Sequence, residues 1–173
     1  MWDRTDGASS ALDEAVPLHR VTETNAVPLA AGRRALGWWL VGASRAMLSL
    51  ARQHALDRVQ FARRVASFQA IRHRLADTLV AIEGAEATLS ATAADNDLSS
   101  LLAKAAAGHA ALTTARHCQQ VLGGIGFTAE HELHRHVRRV LVLDGLLGSA
   151  RDLTREAGAE LRRRGSAPRL VGL

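Results

Sequence analysis

The feature that most constrains this chain is a succession of long segments in which apolar residues recur at the spacing of an α-helix. One such row, within residues 68–94, consists of Ile71, Leu75, Leu79, Ile82 and Leu89. Hydrophobic residues make up 47% of the chain, but aromatic residues make up only 3% and tyrosine is absent, which favours helices over strands. No alternating pattern is strong enough to build a sheet. We therefore predict an all-α fold, an antiparallel bundle of four to five helices with short connections.

Breaks in this pattern divide the chain into segments. The predicted helices cover about residues 30–57, 68–94, 98–122, 130–143 and 150–165. The first is apolar almost all round, which indicates a central, buried helix. Residues 30–165 are predicted to form one helical domain. We expect an extended arm with room for one remnant strand at residues 1–29, and a flexible tail at 166–173.

Charge and cysteine usage exclude several functions. The net charge of +5 comes almost wholly from arginine, because Lys104 is the only lysine. The arginines alternate with acids and lack a stacking array of aromatics, so we expect solvated helix faces rather than a nucleic-acid surface. The single cysteine, Cys118, excludes an intrachain disulfide framework and is expected to be a buried structural thiol. Without a leader-like start or an uncharged membrane-length run, we expect a cytoplasmic protein with no membrane contact.

A glycine-rich segment, Gln119 to Phe127, follows the third predicted helix. Gly123 stands where a helix would end on a left-handed residue, and Gly124 and Gly126 follow it closely. Such a turn is either an interhelical corner or a place where a ligand approaches the backbone, and the segment alone leaves both open. Further on, His131 and His134 have a spacing that can share a metal. We prefer packing histidines there and predict no metal site.

A second polar segment joins the first two long helices. Arg58 stands at a predicted helix C-terminus, and its planar guanidinium suits a phosphate. Phe61 and Phe68 could wall an aromatic ring system, and Gln69 adds a polar group. The alternative is a cation that only complements the helix dipole.

Together these segments read RxQF…SFQAIxHRLAD over residues 58–77 and QxLGGxGFTxEHxLHxxxRR over residues 120–139. Two long motifs in this order resemble the C-terminal helical domain of the acyl-CoA dehydrogenase family, over about residues 30–165. The resemblance implies an FAD flavoprotein that removes a proton and a hydride from the α and β carbons of an acyl-CoA thioester. It also implies a dimer or larger oligomer in which this bundle reaches the FAD of a neighbouring subunit.

The resemblance further assigns contacts to individual residues. Arg58 would contact the FAD diphosphate, and the remaining groups would lie along the adenosine or the diphosphate. The implied FAD-binding residues are Arg58, Phe61, Phe68, Gln69, Gln120, Gly123 and Gly124.

The sequence also departs from the family. The N-terminal helical and middle β-domains have no counterpart here. The position of the usual catalytic glutamate falls on Leu147, and the position used by some members falls on Gly32, before Arg33. Neither residue can abstract a proton, so no catalytic residue is assigned. Asp144 is the nearest acid and an alternative base, although we prefer a surface or capping role for it.

Two hypotheses follow. In the first, the chain is a subunit that completes the FAD site of a heteromeric acyl-CoA dehydrogenase, is inactive alone, and shares its FAD with a longer base-bearing partner that takes the acyl-CoA. In the second, the chain is a non-catalytic helical scaffold derived from the same fold, for instance a homodimer.

Overall fold

The computed structural model describes residues 28–92 and 97–166, and these residues form five α-helices. They are α1 Leu29–Asp57, α2 Gln69–Ser90, α3 Asp97–Leu122, α4 Leu133–Gly145 and α5 Ala150–Arg164. The predicted all-α bundle is therefore confirmed. Most of the predicted arm and tail, residues 1–27 and 167–173, lies outside the described residues.

The central helix is α3. The sequence had suggested α1 instead. α3 packs against each of the other four helices. Three of its alanines, Ala103, Ala107 and Ala111, are fully buried, and such small side chains let neighbouring helices come close. α1 instead leaves Trp38 and Trp39 37% and 45% exposed. The prediction of a central α1 was wrong because it weighed large apolar residues and gave alanine too little weight.

Helix ends follow local sequence where a capping signal exists. Ser149 caps α5 by accepting the Asp152 N–H at 3.2 Å, and α5 ends on Gly165 in the left-handed conformation with φ 69°. α4 begins at Leu133, three residues later than predicted, because a 3-10 turn at Gly123–Phe127 and further turns precede it. There His131 Nδ1 accepts the Leu133 N–H at 3.1 Å.

A small β-hairpin between α1 and α2 was not predicted. Its strands are β1 Val59–Gln60 and β2 Arg63–Arg64, paired antiparallel. The two tip residues, Phe61 and Ala62, both have positive φ, 53° and 62°. A two-residue turn of this kind normally uses Asn-Gly or similar residues, so the sequence carried no signal for it.

The helix directions sort the remaining segments to two ends of the bundle. The end of α1, the hairpin, the start of α2, the 3-10 turn and the start of α4 make up what we call the hairpin end. The rings of His54 in α1 and His131 before α4 lie 6.5 Å apart there. The starts of α1 and α3 and the α4–α5 turn at residues 146–149 make up the turn end. There Gly32 of α1 faces Leu147.

Candidate functional site

Arg58 is the first residue after α1 and lies at the hairpin end. Its backbone N–H donates to the His54 carbonyl at 2.9 Å, and its carbonyl accepts from Val65 N–H at 2.8 Å. Both bonds fix where its side chain begins. The side chain lines an open cavity of about 420 Å³, together with Leu50, Gln53, His54, Asp57 and His131.

The other arginines of this segment have partners within the chain. The Arg63 guanidinium lies over the Phe68 ring, 4.1 Å from its centre, and Arg64 Nη1 donates to the Leu56 carbonyl at 3.0 Å. Within residues 28–92 and 97–166, the Arg58 guanidinium has no ion pair. It is therefore the arginine of the hairpin segment best placed to take an anion.

An aromatic pair lies in the same hairpin segment as Arg58. Phe61, at the hairpin tip, is 87% exposed, and its ring meets that of Phe68 edge to face with centres 6.3 Å apart. Left-handed backbone at a bulky residue is costly, and such strain tends to persist at binding sites. Gln69 opens α2, and its side-chain amide bonds the ring of His73 at 3.0 Å. The structure thus brings the predicted Phe61, Phe68 and Gln69 together.

The three glycines of the 3-10 turn serve different purposes. Gly123 ends α3 with φ 66°, as predicted. A Cβ on Gly126 would lie 2.7 Å from the Gln119 carbonyl oxygen, so this glycine is needed for packing, which the sequence did not reveal. A Cβ on Gly124 would meet nothing within 4 Å. The corner explanation covers Gly123 and Gly126 and leaves Gly124 as open backbone, with Gln120 exposed before it.

At the turn end, the two positions that the resemblance assigns to a catalytic base meet in space. A Cβ on Gly32 would lie 2.8 Å from Leu147 Cδ1. Arg33 Nε donates to the Leu147 carbonyl at 3.4 Å, and Leu147 adopts φ 54°. Neither Gly32 nor Leu147 has a group that can accept a proton.

Lys104, which the sequence analysis did not single out as a site residue, anchors the turn end. Its side chain is fully buried, and Nζ donates to the carbonyls of Asp144 and Gly148 at 2.7 Å each. The pKa of Lys104 is lowered to about 8, mainly by burial, with Asp144 raising it and Arg33 lowering it. One sequence feature could have predicted this role: the only lysine of the chain stands inside an alanine-rich apolar helix.

Asp144 lies in the same cluster. It is 9% exposed, and Oδ1 accepts the Ala150 N–H at 3.0 Å, which caps the start of α5. Gly108 of α3 gives this carboxylate its space, because an added Cβ there would overlap Oδ1. This bonding fits the capping role, although in a buried place, and gives no support to Asp144 as a base.

The other candidate groups have structural partners. The Nδ1 of His134 lies 2.8 Å from the His131 carbonyl, and no group of three or more His, Cys, Asp or Glu in the described part of the chain could hold a metal. Cys118 is fully buried, and burial raises its pKa to about 12. Among the described helices, none has the length and apolar character needed to cross a membrane.

Comparison with known proteins agrees with this geometry. The family model of the acyl-CoA dehydrogenase C-terminal domain matches residues 20–161. Acyl-CoA dehydrogenase IpdE2 of Mycobacterium tuberculosis is 35% identical over 142 residues, which are 82% of this chain and 42% of that relative. Acyl-CoA dehydrogenase FadE34 of the same organism is 38% identical over 135 residues, 71% of this chain and 19% of that relative.

A solved structure, a variant of the Tcur3481-Tcur3483 steroid ACAD, superposes with a TM-score of 0.74 at 26% identity. The match covers 80% of this chain and 40% of that one. The chain therefore spans less than half the length of each of these relatives. Because the family model covers most of the sequence, the chain belongs to the acyl-CoA dehydrogenase family and its helices form the C-terminal domain of that family.

Proposed function

We propose that this chain supplies one edge of an FAD site in a flavin-dependent acyl-CoA dehydrogenase, and that another polypeptide supplies the catalytic base. One observation carries the proposal. The hairpin end presents groups suited to a nucleotide, whereas the two base positions, Gly32 and Leu147, adjoin each other and hold no titratable group.

The residues of the hairpin end fit the adenosine diphosphate half of FAD. Arg58 offers a guanidinium without an ion pair among the described residues, beside an open cavity. The 87% exposed ring of Phe61 offers a face for an aromatic base, whereas Arg63 covers one face of Phe68. Gly124 leaves backbone that a phosphate or ribose can approach. When bound, FAD would accept the hydride that leaves the β carbon of the acyl-CoA.

The groups next to the base positions already have partners within the chain. Arg33 is a cation whose Nε donates to the Leu147 carbonyl, and its Nη2 pairs with the Glu156 carboxylate at 3.6 Å. Lys104 is fully buried with both of its hydrogen bonds directed at backbone carbonyls, and Asp144 is engaged by α5. A general base has to come within hydrogen-bond reach of the proton it removes. We therefore infer that the base belongs to a different polypeptide in the assembly.

The first test is the flavin content of the assembled protein with Arg58→Ala. A charge-assisted hydrogen bond contributes about 1.5–3 kcal/mol, so we expect FAD affinity to fall about 10- to 100-fold in the complex. The matched control is Arg52→Ala, an exposed arginine less than two turns earlier in α1, which should leave affinity unchanged. The absorption band of oxidised flavin after gel filtration, alone and with candidate partners, provides the measurement.

The outcomes separate the proposal from the scaffold alternative. Retention of FAD by Arg58→Ala at wild-type affinity, or absence of flavin from every assembly that contains this chain, would favour a non-catalytic scaffold. Oxidation of an acyl-CoA by the chain on its own would contradict the inference that the base comes from elsewhere.

A further inference from the structure

The cavity at Arg58 contains two histidines that the proposed FAD edge does not yet use. His54 lies in the last turn of α1, and His131 lies in the turn before α4. Their rings meet edge to face at an angle of 86°, and both line the cavity with Arg58. Two segments far apart in sequence thus each place an imidazole in the cavity that Arg58 lines.

The hydrogen bonds of His131 determine which ring nitrogen can donate. Its Nδ1 accepts the Leu133 N–H at the start of α4, at 3.1 Å. An accepting Nδ1 carries no proton, so the neutral ring carries its proton on Nε2. His131 is therefore a hydrogen-bond donor through Nε2 as long as α4 keeps this bond.

The charges that face His54 come from both sides of the cavity. The pKa of His54 is lowered mainly by burial. The nearby His131 and Arg58 lower this pKa further, and Asp57 raises it. The Asp57 carboxylate itself accepts from the Gln53 side-chain amide at 2.8 Å. His54 is therefore neutral at pH 7, and its protonation at lower pH adds a positive charge beside Arg58.

We propose that His54 and His131 extend the anion site of Arg58, so that the hairpin end holds a diphosphate more tightly as the pH falls. His131 donates through Nε2 while its Nδ1 accepts from α4, and His54 contributes a charge when protonated. This inference rests on the proposed FAD edge. By thermodynamic linkage, a bound diphosphate must also favour protonation of His54.

The experiment uses ADP-ribose, whose diphosphate diester keeps a constant charge over the pH range studied, and the full chain. Titration calorimetry at several pH values compares the wild type with His54→Gln, and His109→Gln, an exposed histidine in α3, is the control. We expect wild type and His109→Gln to bind about three- to tenfold more tightly at about pH 5.5 than at about pH 7.5. His54→Gln should show a clearly smaller pH dependence than the wild type.

A second variant tests His131 without removing the helix cap. Asparagine is a favoured N-terminal capping residue, so His131→Asn can still accept from the backbone but loses the Nε2 donor. We expect weaker binding at every pH. The thermal midpoint of His131→Asn checks that α4 remains folded.

The results distinguish a failure of the histidine site from a failure of the proposed FAD edge. If wild-type chain does not bind ADP-ribose at any pH, the histidine site fails, whereas the FAD edge fails only if flavin is also absent from every assembly that contains this chain. If it binds and His54→Gln keeps the same pH dependence, only the histidine site is overturned. NMR titration of the His54 ring gives an independent result, because its pKa should rise on addition of ADP-ribose, and a constant pKa would contradict the linkage.

Discussion

The two ends of this bundle differ in how their charged groups are satisfied, although each has a non-glycine residue on left-handed backbone, Phe61 at one end and Leu147 at the other. At the hairpin end, Phe61 is 87% exposed on left-handed backbone, and no ion pair to Arg58 is found among the described residues. At the turn end, Lys104 is fully buried and holds two carbonyls, while Asp144 caps α5. Open, strained groups are typical of surfaces that receive a ligand, and satisfied buried groups are typical of a scaffold.

The comparison favours the hairpin end as the place where a ligand binds. At the turn end Leu147 occupies the room that a side chain on Gly32 would need, although a cavity of about 530 Å³ lies beside Arg33. Changes at the turn end should therefore alter stability first. Changes at the hairpin end should alter ligand binding while the fold stays intact.

The largest expected effect is at the turn end, in Gly108→Ala. The new Cβ would overlap Asp144 Oδ1 and lie 3.0 Å from Ala150 Cβ, so the helices must move apart. We expect a loss of about 2–3 kcal/mol in the free energy of unfolding, measured with urea. The control is Gly42→Ala in α1, where a Cβ meets nothing within 4 Å and alanine should add about 0.5–1 kcal/mol. Equal stability of Gly108→Ala and wild type would show that the turn end is loosely packed.

A smaller effect, at the hairpin end, separates packing from binding within one turn. Gly126→Ala places a Cβ against the Gln119 carbonyl oxygen and should cost about 1–3 kcal/mol of unfolding free energy. Gly124→Ala meets open space and should stay within about 0.5 kcal/mol of wild type, yet bind ADP-ribose more weakly. Urea unfolding and calorimetry on both variants provide the measurements. Unchanged binding by Gly124→Ala would mean that no ligand approaches this backbone.

The helices could be predicted from sequence because their signals are local. Apolar spacing placed all five, and Ser149 and Gly165 marked the ends of α5. The central position of α3 could not be read in this way, because it depends on how closely other helices approach its alanines. The hairpin could not be predicted for a related reason. Left-handed backbone is unfavourable for Phe61 and Ala62, so the surrounding structure must hold them in it.

The residues of the candidate site likewise divide into those with a local sequence signal and those without one. Arg58 and Gly123 stood out because each follows a helix with a residue type suited to that position. Lys104 and His54 did not stand out as site residues, because their partners are distant in sequence. Lys104 bonds carbonyls 40 and 44 residues away, and His54 meets a ring before α4. A sequence pattern reports which residues share a helix face, whereas these roles depend on how separate helices are packed together.

The smallest expected effect concerns the stability of the turn end at alkaline pH. The pKa of Lys104 is about 8 in the folded chain and ordinarily 10.5, so between these values the unfolded chain binds more protons. The free energy of unfolding should therefore rise with pH, by at most about 1.4 kcal/mol per pH unit. Cys118 acts in the opposite direction above its ordinary pKa of 9.0, because burial raises that pKa to about 12. The chain has no tyrosine, so these two side chains dominate the profile. Urea unfolding between pH 8 and 9 should show this rise in unfolding free energy in wild type and Cys118→Ala but not in Lys104→Met. If the unfolding free energies of all three proteins change in parallel with pH, Lys104 stays protonated in the fold.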